Sequence, residues 1–240
     1  MRSPFKHDVE HFAGGKGHSF RQLISLMPPH ERYIETHLGG GAVMRRKLPA
    51  RENVGIDVDA RVIARWRSRR PATVAIVEGC VLDVLPRLNP SPHDLIYADP
   101  PYLPALRRTA RLYRHDYNEE DHRKLLHLLL SLDAMVIVSG YRCELYDDLL
   151  ANWIRTDYVA STHSGMVTES AWTNFTPGSL LHDYRFVGGT FRGRERFRRR
   201  SSALAERLRR ADDTELNAAL AVLAETRPSA VLAAAERVHS

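Results

Sequence analysis

Five short apolar runs separated by stretches of helical periodicity constrain this chain more than any other feature. Residues 32–38 (RYIETHL), 52–58 (ENVGIDV), 72–78 (ATVAIVE), 94–98 (DLIYA) and 134–140 (AMVIVSG) each have the length and composition of a strand. Residues 41–48, 59–68 and 119–131 between them carry the 3.6-residue pattern of amphipathic helices. Parallel strands need a crossover of a dozen or more residues, usually a helix, and these runs are spaced for one. The expected fold class is therefore α/β, with a mostly parallel sheet. Two later runs, DYVASTH (157–163) and ESAWTNF (169–175), are separated only by SGMV and predict an antiparallel hairpin at the sheet edge.

Composition changes near Gly188-Gly189, so residues 1–189 are expected to form the main domain and 190–240 a basic helical C-terminal extension. Asp212 followed three residues later by Glu215 has the form of a capping box, which predicts a short helix bundle there. Asn118 before Glu119-Glu120 and Asp59 before ARVIARW are predicted N-caps. No apolar run nears the length of a membrane helix and the start MRSPFKHDVEHF lacks a signal-peptide core, so a soluble, cytoplasmic protein without a membrane partner is expected. Cys80 and Cys143 offer neither a disulfide framework nor a multi-cysteine metal site. His115, His122 and His127 with Asp116 and Asp121 lack the spacing that would turn ligands to one side, so no metal is expected. Trp66, Trp153 and Trp172 are read as packing residues.

The first strand ends in ETHLGGGAVM: Glu35, then Gly39, Gly40 and Gly41. Glycines at a strand end let the backbone take positive φ and let a ligand approach the amides that follow. Asp57, eighteen residues after Gly39 and at the end of the second strand, stands where a carboxylate can accept hydrogen bonds from ribose hydroxyls. The pair implies an adenosine-type ligand. A nucleoside-triphosphate loop is excluded on spacing, since GGG is followed by no Lys-Ser/Thr and Lys16 of FAGGKGHS is followed by Gly17.

The fourth run delivers Asp99 to the carboxyl edge of the sheet, and Pro100 and Pro101 then end pairing because they lack amide donors. A carboxylate on a rigid turn is a fixed acceptor, suited to the N–H groups of an exocyclic amine whose lone pair is otherwise delocalised into its ring. Tyr102 supplies a face on which such a base can stack.

The ordered set Phe12-Ala-Gly-Gly-Lys16, YIETHLGGGAV, Asp57 and YADPPY, continuing through SGYRCELYDDLL and TESAWTNF, resembles the N6-adenine DNA methyltransferases of the DNA adenine methylase family over most of residues 10–205. The resemblance implies a Rossmann-like class I methyltransferase sheet with S-adenosyl-L-methionine as cofactor. It implies that Phe12, Gly15, Lys16, Glu35, Gly39 to Gly41, Asp57 and Asp99 hold that cofactor, and that Asp99, Pro100, Pro101 and Tyr102 hold the target adenine. The chain departs from the family at His37, where Phe is usual, and at Cys80, where an Asp often follows Gly. It also has no room for a separate target-recognition domain, because only about twenty residues join the third strand to YADPPY.

A formal charge of +6 favours a polyanionic partner. Arg107, Arg108, Arg111 and Arg114, with Arg194 and Arg198 of the tail, are the candidate phosphate contacts. DNA is the expected substrate, with a flipped adenine methylated by direct displacement. Structured RNA is the alternative substrate, and a nucleic-acid-binding homologue with impaired catalysis, motivated by His37 and Cys80, is the alternative function. Oligomeric state stays open, a monomer included.

Overall fold

The computed structural model describes residues 19–69, 73–106, 115–162 and 165–239. These divide into two compact units: residues up to 24 with 30–177, and residues 25–29 with 178–240.

In the first unit a short helix α1 (Phe20–Ile24) precedes β1 (Arg32–Glu35), β2 (Glu52–Asp57), α2 (Ala60–Arg69), β3 (Val74–Glu78), α3 (Val81–Arg87), β4 (Asp94–Ala98), α4 (Glu119–Leu130), β5 (Met135–Gly140), α5 (Glu144–Leu149) and a closing hairpin of β6 (Ile154–Thr162) and β7 (Gly165–Thr173). The strands form one seven-stranded sheet in the order β3-β2-β1-β4-β5-β7-β6. The pairs from β3 through β5 are parallel, whereas β7 runs antiparallel to both β5 and β6. This is the mostly parallel Rossmann-like sheet expected from the sequence, with its antiparallel edge in place.

The apolar runs form strands because the sheet is covered on both sides. All five residues of β4 are buried. One face packs Ile34, Ile56, Ile96, Val136 and Val138 against Leu85 of α3, Leu125 and Leu129 of α4 and Tyr146 of α5. Trp172 of β7 is 1% exposed and belongs to the same core, with its ring centroid 4.9 Å from that of Tyr146.

Sequence order and sheet order diverge between β1 and β4. The chain lays β2 and β3 to one side of β1 and β4 and β5 to the other, so the loops leaving β1 and β4 splay apart at the carboxyl edge. Open α/β sheets bind ligands in the crevice that this switch creates.

Several boundaries differ from the sequence expectation. β1 stops at Glu35 rather than continuing to Leu38, and β7 starts at Gly165, so the SGMV separator is partly strand. The helix expected over 41–48 is absent; residues 42–46 form successive turns. The amide of Met44 donates to Glu35 Oε2 at 2.9 Å, removing it from any helical ladder, and Gly41 holds φ at +57°. α3 was not foreseen, since Pro86 lies within it.

In the second unit α6 (Phe191–Arg210), α7 (Asp213–Thr226) and α8 (Pro228–His239) follow one another. Asp212 caps α7, accepting from the amides of Thr214 and Glu215 at 2.8 and 2.9 Å. Neither α6 nor α7 buries a side chain. Among the described residues no single helix is long and apolar enough to cross a membrane.

Candidate active site

At the end of β1 the buried carboxyl group of Glu35 ties the glycine loop from beneath. Its Oε2 accepts from both the Met44 amide and the Tyr33 hydroxyl, each at 2.9 Å. Burial pushes the Glu35 pKa up to about 8; these two hydrogen bonds work against that shift, and the charge of Asp99 adds to it. Glu35 therefore acts on the loop rather than presenting a free carboxylate to a ligand.

Gly39 (φ +45°) and Gly41 lie in the left-handed region, where a side chain is disfavoured. The Gly39 amide donates to Asp57 Oδ2 at 2.8 Å, and the Asp59 amide donates to Asp57 Oδ1 at 2.8 Å. Asp57 thus locks the β1 loop to the end of β2. Burial raises its pKa and the two amides oppose the rise. Asp59 in turn accepts from the Arg61 amide at 2.9 Å and opens α2, as its position predicts. Trp66 of α2 forms the floor of the loop: its indole Nε1 donates to the Gly39 carbonyl at 2.9 Å, and a Cβ placed on Gly41 would stand 2.1 Å from its Cζ2. Among the described residues beyond its chain neighbours, none comes within 4 Å of a Cβ built on Gly39. The loop is open above Gly39 and filled below Gly41, as a ligand-facing cradle requires.

Across the switch point, Asp99 leaves the end of β4. Ser139 of β5 donates to Asp99 Oδ1 at 2.9 Å, and the Tyr97 hydroxyl lies 2.9 Å from the same Ser139 oxygen. A serine hydroxyl has one proton, so with that proton directed at the carboxylate, Tyr97 is the donor to Ser139. The resulting chain, Tyr97 to Ser139 to Asp99, orients the carboxylate from inside the sheet. Pro100 is buried, and Tyr102 packs its ring against Tyr141, with centroids 4.6 Å apart and planes inclined at 60°.

A third wall comes from His37 and Tyr117. His37 Nδ1 lies 2.8 Å from Thr36 Oγ1 and its Nε2 lies 3.1 Å from the Tyr117 hydroxyl. Burial, with the His122 ring second, pushes the His37 pKa down to about 3, so it is a neutral imidazole. It fills the space of an aromatic ring without bringing charge to the site. The Tyr117 hydroxyl is shifted up, chiefly by burial and then by Cys80, Asp121 and Asp57, which marks its neighbours in the crevice. Tyr117 continues into buried His122, whose Nδ1 lies 3.0 Å from the Tyr146 hydroxyl. His122 thus points into the core, and no three His, Cys, Asp or Glu side chains converge as metal ligands among the described residues.

The structure therefore brings Glu35, Gly39 to Gly41, Asp57, Asp99, Pro100, Pro101 and Tyr102 to one edge of one sheet. Phe12, Gly15 and Lys16 lie outside the described residues, as do Arg107, Arg108, Arg111 and Arg114. Arg194 donates to the Gly188 carbonyl at 3.1 Å and Arg198 to Glu195 at 2.6 Å. Sequence reasoning missed Ser139, Tyr117 and the role of Trp66. Ser139 was readable in principle: Ala98 and Val138 are register partners, so the next residue on each strand meets at the edge. Tyr117 sits in a loop and carries no periodic signal.

No protein-family model matches the chain, and no curated protein matches it. Among solved structures it is similar to magnesium protoporphyrin IX methyltransferase from Synechocystis with bound S-adenosylmethionine, at 10% identity over 71% of this chain and 87% of that one, TM-score 0.48. It is similar to an N-methyltransferase from Bradyrhizobium japonicum at 15% identity over 65% of this chain and 94% of that one, TM-score 0.46. It is also similar to spermidine synthase from Thermotoga maritima at 15% identity over 69% and 60%, TM-score 0.46. The chemistry of the site rests on this chain's own residues.

Proposed function

We propose that this chain transfers the methyl group of S-adenosylmethionine to the N6 amine of adenine in DNA. The observation that carries the reading is the Asp99 carboxylate, oriented by Ser139 and Tyr97 and followed by two prolines and an aromatic ring, across the switch point from the Gly39–Asp57 clamp. An acceptor for amine protons and a cradle for an adenosine-type ligand on one sheet edge serve a transfer between the two.

The residues present fit the cofactor. The open space above Gly39 admits it to the backbone, and each oxygen of Asp57, though engaged by one amide, keeps a second lone pair for a ribose hydroxyl. His37 and Tyr117 supply an uncharged wall. S-adenosylmethionine, when bound, supplies a methyl on a positively charged sulfur that departs as a neutral thioether. Asp99 accepts a hydrogen bond from the adenine amine and draws its lone pair out of conjugation with the ring. So held, the amine would be the nucleophile for the methyl group that the cofactor would supply, and the proton it loses on alkylation would leave to solvent. The carboxylate also stabilises the positive charge that develops on nitrogen, and rate enhancement comes from orientation and such fixed charges. Tyr102 is packed against Tyr141 and only 9% exposed, so the surface it offers a base taken out of the duplex is the small remaining part of its ring.

Incubation of the protein with labelled S-adenosylmethionine and unmethylated duplex DNA, followed by digestion to nucleosides, tests the reading. N6-methyladenine is expected, and Asp99→Ala is expected to lower its formation by on the order of 10³-fold with cofactor affinity retained within about tenfold. Label recovered on another base, or only in a structured RNA substrate, would overturn the assignment.

A further inference from the structure

α6 is a twenty-residue helix with nine arginines and no lysine. At 3.6 residues per turn, Arg192, Arg196, Arg200 and Arg207 fall within about 80° of one another and span about 22 Å of helix axis. All four are exposed, and none makes an ion pair with an acidic side chain among the described residues. The arginines that are neutralised lie elsewhere around the helix or at the margin of this row: Arg198 and Arg199 on Glu195, Arg209 and Arg210 on Glu206.

Helix stability does not account for this arrangement. Like charges four residues apart, as at Arg192/Arg196 and Arg196/Arg200, oppose the helix by a few tenths of a kcal/mol per pair. Arginines at the N-terminal end meet the positive pole of the helix dipole, and the first turn holds no acidic residue to offset them. Solubility alone would be served by lysine, whereas the guanidinium fork matches phosphate oxygens two at a time. The large apolar residues on the flank of the row are Phe197, Leu204 and Leu208, too sparse a face for burial in lipid headgroups.

We propose that α6 is a nucleic-acid docking helix on which Arg192, Arg196, Arg200 and Arg207 form a row of contacts to the phosphodiester backbone. The inference rests on the nucleic-acid methyltransferase reading for its partner. It reassigns the phosphate contacts of the tail from Arg194 and Arg198, which are tied to Gly188 and Glu195, to this exposed face. Contacts of this kind carry no base information and set affinity through release of counterions, so they serve any sequence equally.

The test is fluorescence anisotropy with the full chain and a labelled 24-base-pair DNA duplex, without cofactor, over a range of salt concentrations. The variant R192Q/R196Q/R200Q/R207Q is compared with R198Q/R209Q, and circular dichroism checks helix content in both. For the quadruple variant the slope of log K against log salt is expected to shrink by about 3 to 4, with affinity near physiological salt falling on the order of 10²-fold or more. For the double variant the slope is expected to hold within about 1. With methyl transfer as a second readout, KM for DNA rises in the quadruple variant and kcat at saturating DNA is unchanged. An unchanged salt slope in the quadruple variant, with helix content retained, would overturn the proposal. So would binding to phosphatidylserine vesicles that the four substitutions abolish while duplex affinity stays the same. A protein that binds duplex through this row yet methylates nothing would leave the docking helix standing and remove the catalytic reading. A protein that methylates DNA with unchanged KM and slope after the four substitutions would do the reverse.

Discussion

Two groups at the heart of the site, buried Glu35 and half-buried His37, titrate in opposite senses, and together they shape stability. Glu35 has its pKa raised from the ordinary carboxylate value of 4.5 to about 8, so the stability it confers is complete below the unfolded value and is lost as pH climbs towards 8. His37 has its pKa lowered from 6.5 to about 3, so its contribution is complete above the unfolded value and is lost as pH falls towards 3. Between the two unfolded values the losses and gains offset, and stability measured by urea denaturation is expected to form a plateau from about pH 4.5 to 6.5 that declines on both sides. Glu35→Gln should flatten the alkaline limb and His37→Phe the acidic one. Ser139 offers a second residue-level prediction. Removing its hydroxyl in Ser139→Ala takes one hydrogen bond from the Asp99 carboxylate, so kcat for methyl transfer should fall about 10- to 100-fold with cofactor affinity little changed.

At the scale of elements, the glycine loop and its helix stand or fall together. A Cβ at Gly41 would need positive φ and would meet the Trp66 ring, so Gly41→Ala is expected to cost roughly 2 to 4 kcal/mol in chemical denaturation, well above an ordinary surface change. The capping box at Asn118, with Asn118 Oδ1 accepting from the Asp121 amide at 3.0 Å and Asp121 Oδ2 from the Asn118 amide at 3.0 Å, predicts a loss of about 1 kcal/mol for Asn118→Ala. These elements differ in how legible they were. The parallel strands could be read because burial on both faces forces continuous apolar runs, and α4 could be read because its cap and periodicity agree. The turns at 42–46 could not: their sequence has helical periodicity, and what breaks the helix is a carboxyl group nine residues earlier reaching the Met44 amide. The local code cannot contain a competitor that arrives through the fold. The same holds for Asn174, whose side chain accepts from the Val136 amide at 2.8 Å and donates to the Ala134 carbonyl at 2.7 Å, finishing the β5 edge from a residue beyond β7.

At the scale of the whole molecule, the chain concentrates its buried apolar core in the sheet unit and leaves α6 and α7 without buried side chains. Folding stability should therefore reside in the first: removal of residues 213–240 is expected to shift the thermal midpoint by less than about 2 °C, read by calorimetry on the shortened and full chains. The parallel sheet with its antiparallel edge, and the placing of Asp57 and Asp99 at strand ends, could be read from the apolar runs and the residues that close them, whereas the strand order and its switch point come from the structure alone. The identity of the exposed arginine row could not be read either, because Arg194 and Arg198 look the same in sequence as Arg196 and Arg200. Only the neighbours that each guanidinium finds in three dimensions separate them.

The clamp between the Gly39 amide and Asp57, and the tie between Glu35 and Met44, are made wholly by the protein's own groups. A cradle held by backbone amides and carboxyl groups at the nucleoside end recognises the part of a cofactor that survives the reaction as readily as the part that enters it. The spent nucleoside thioether would compete with its methylated precursor on nearly equal terms. Turnover would then follow the ratio of the two in the surrounding medium, and an enzyme of this design would slow as its own by-product accumulates.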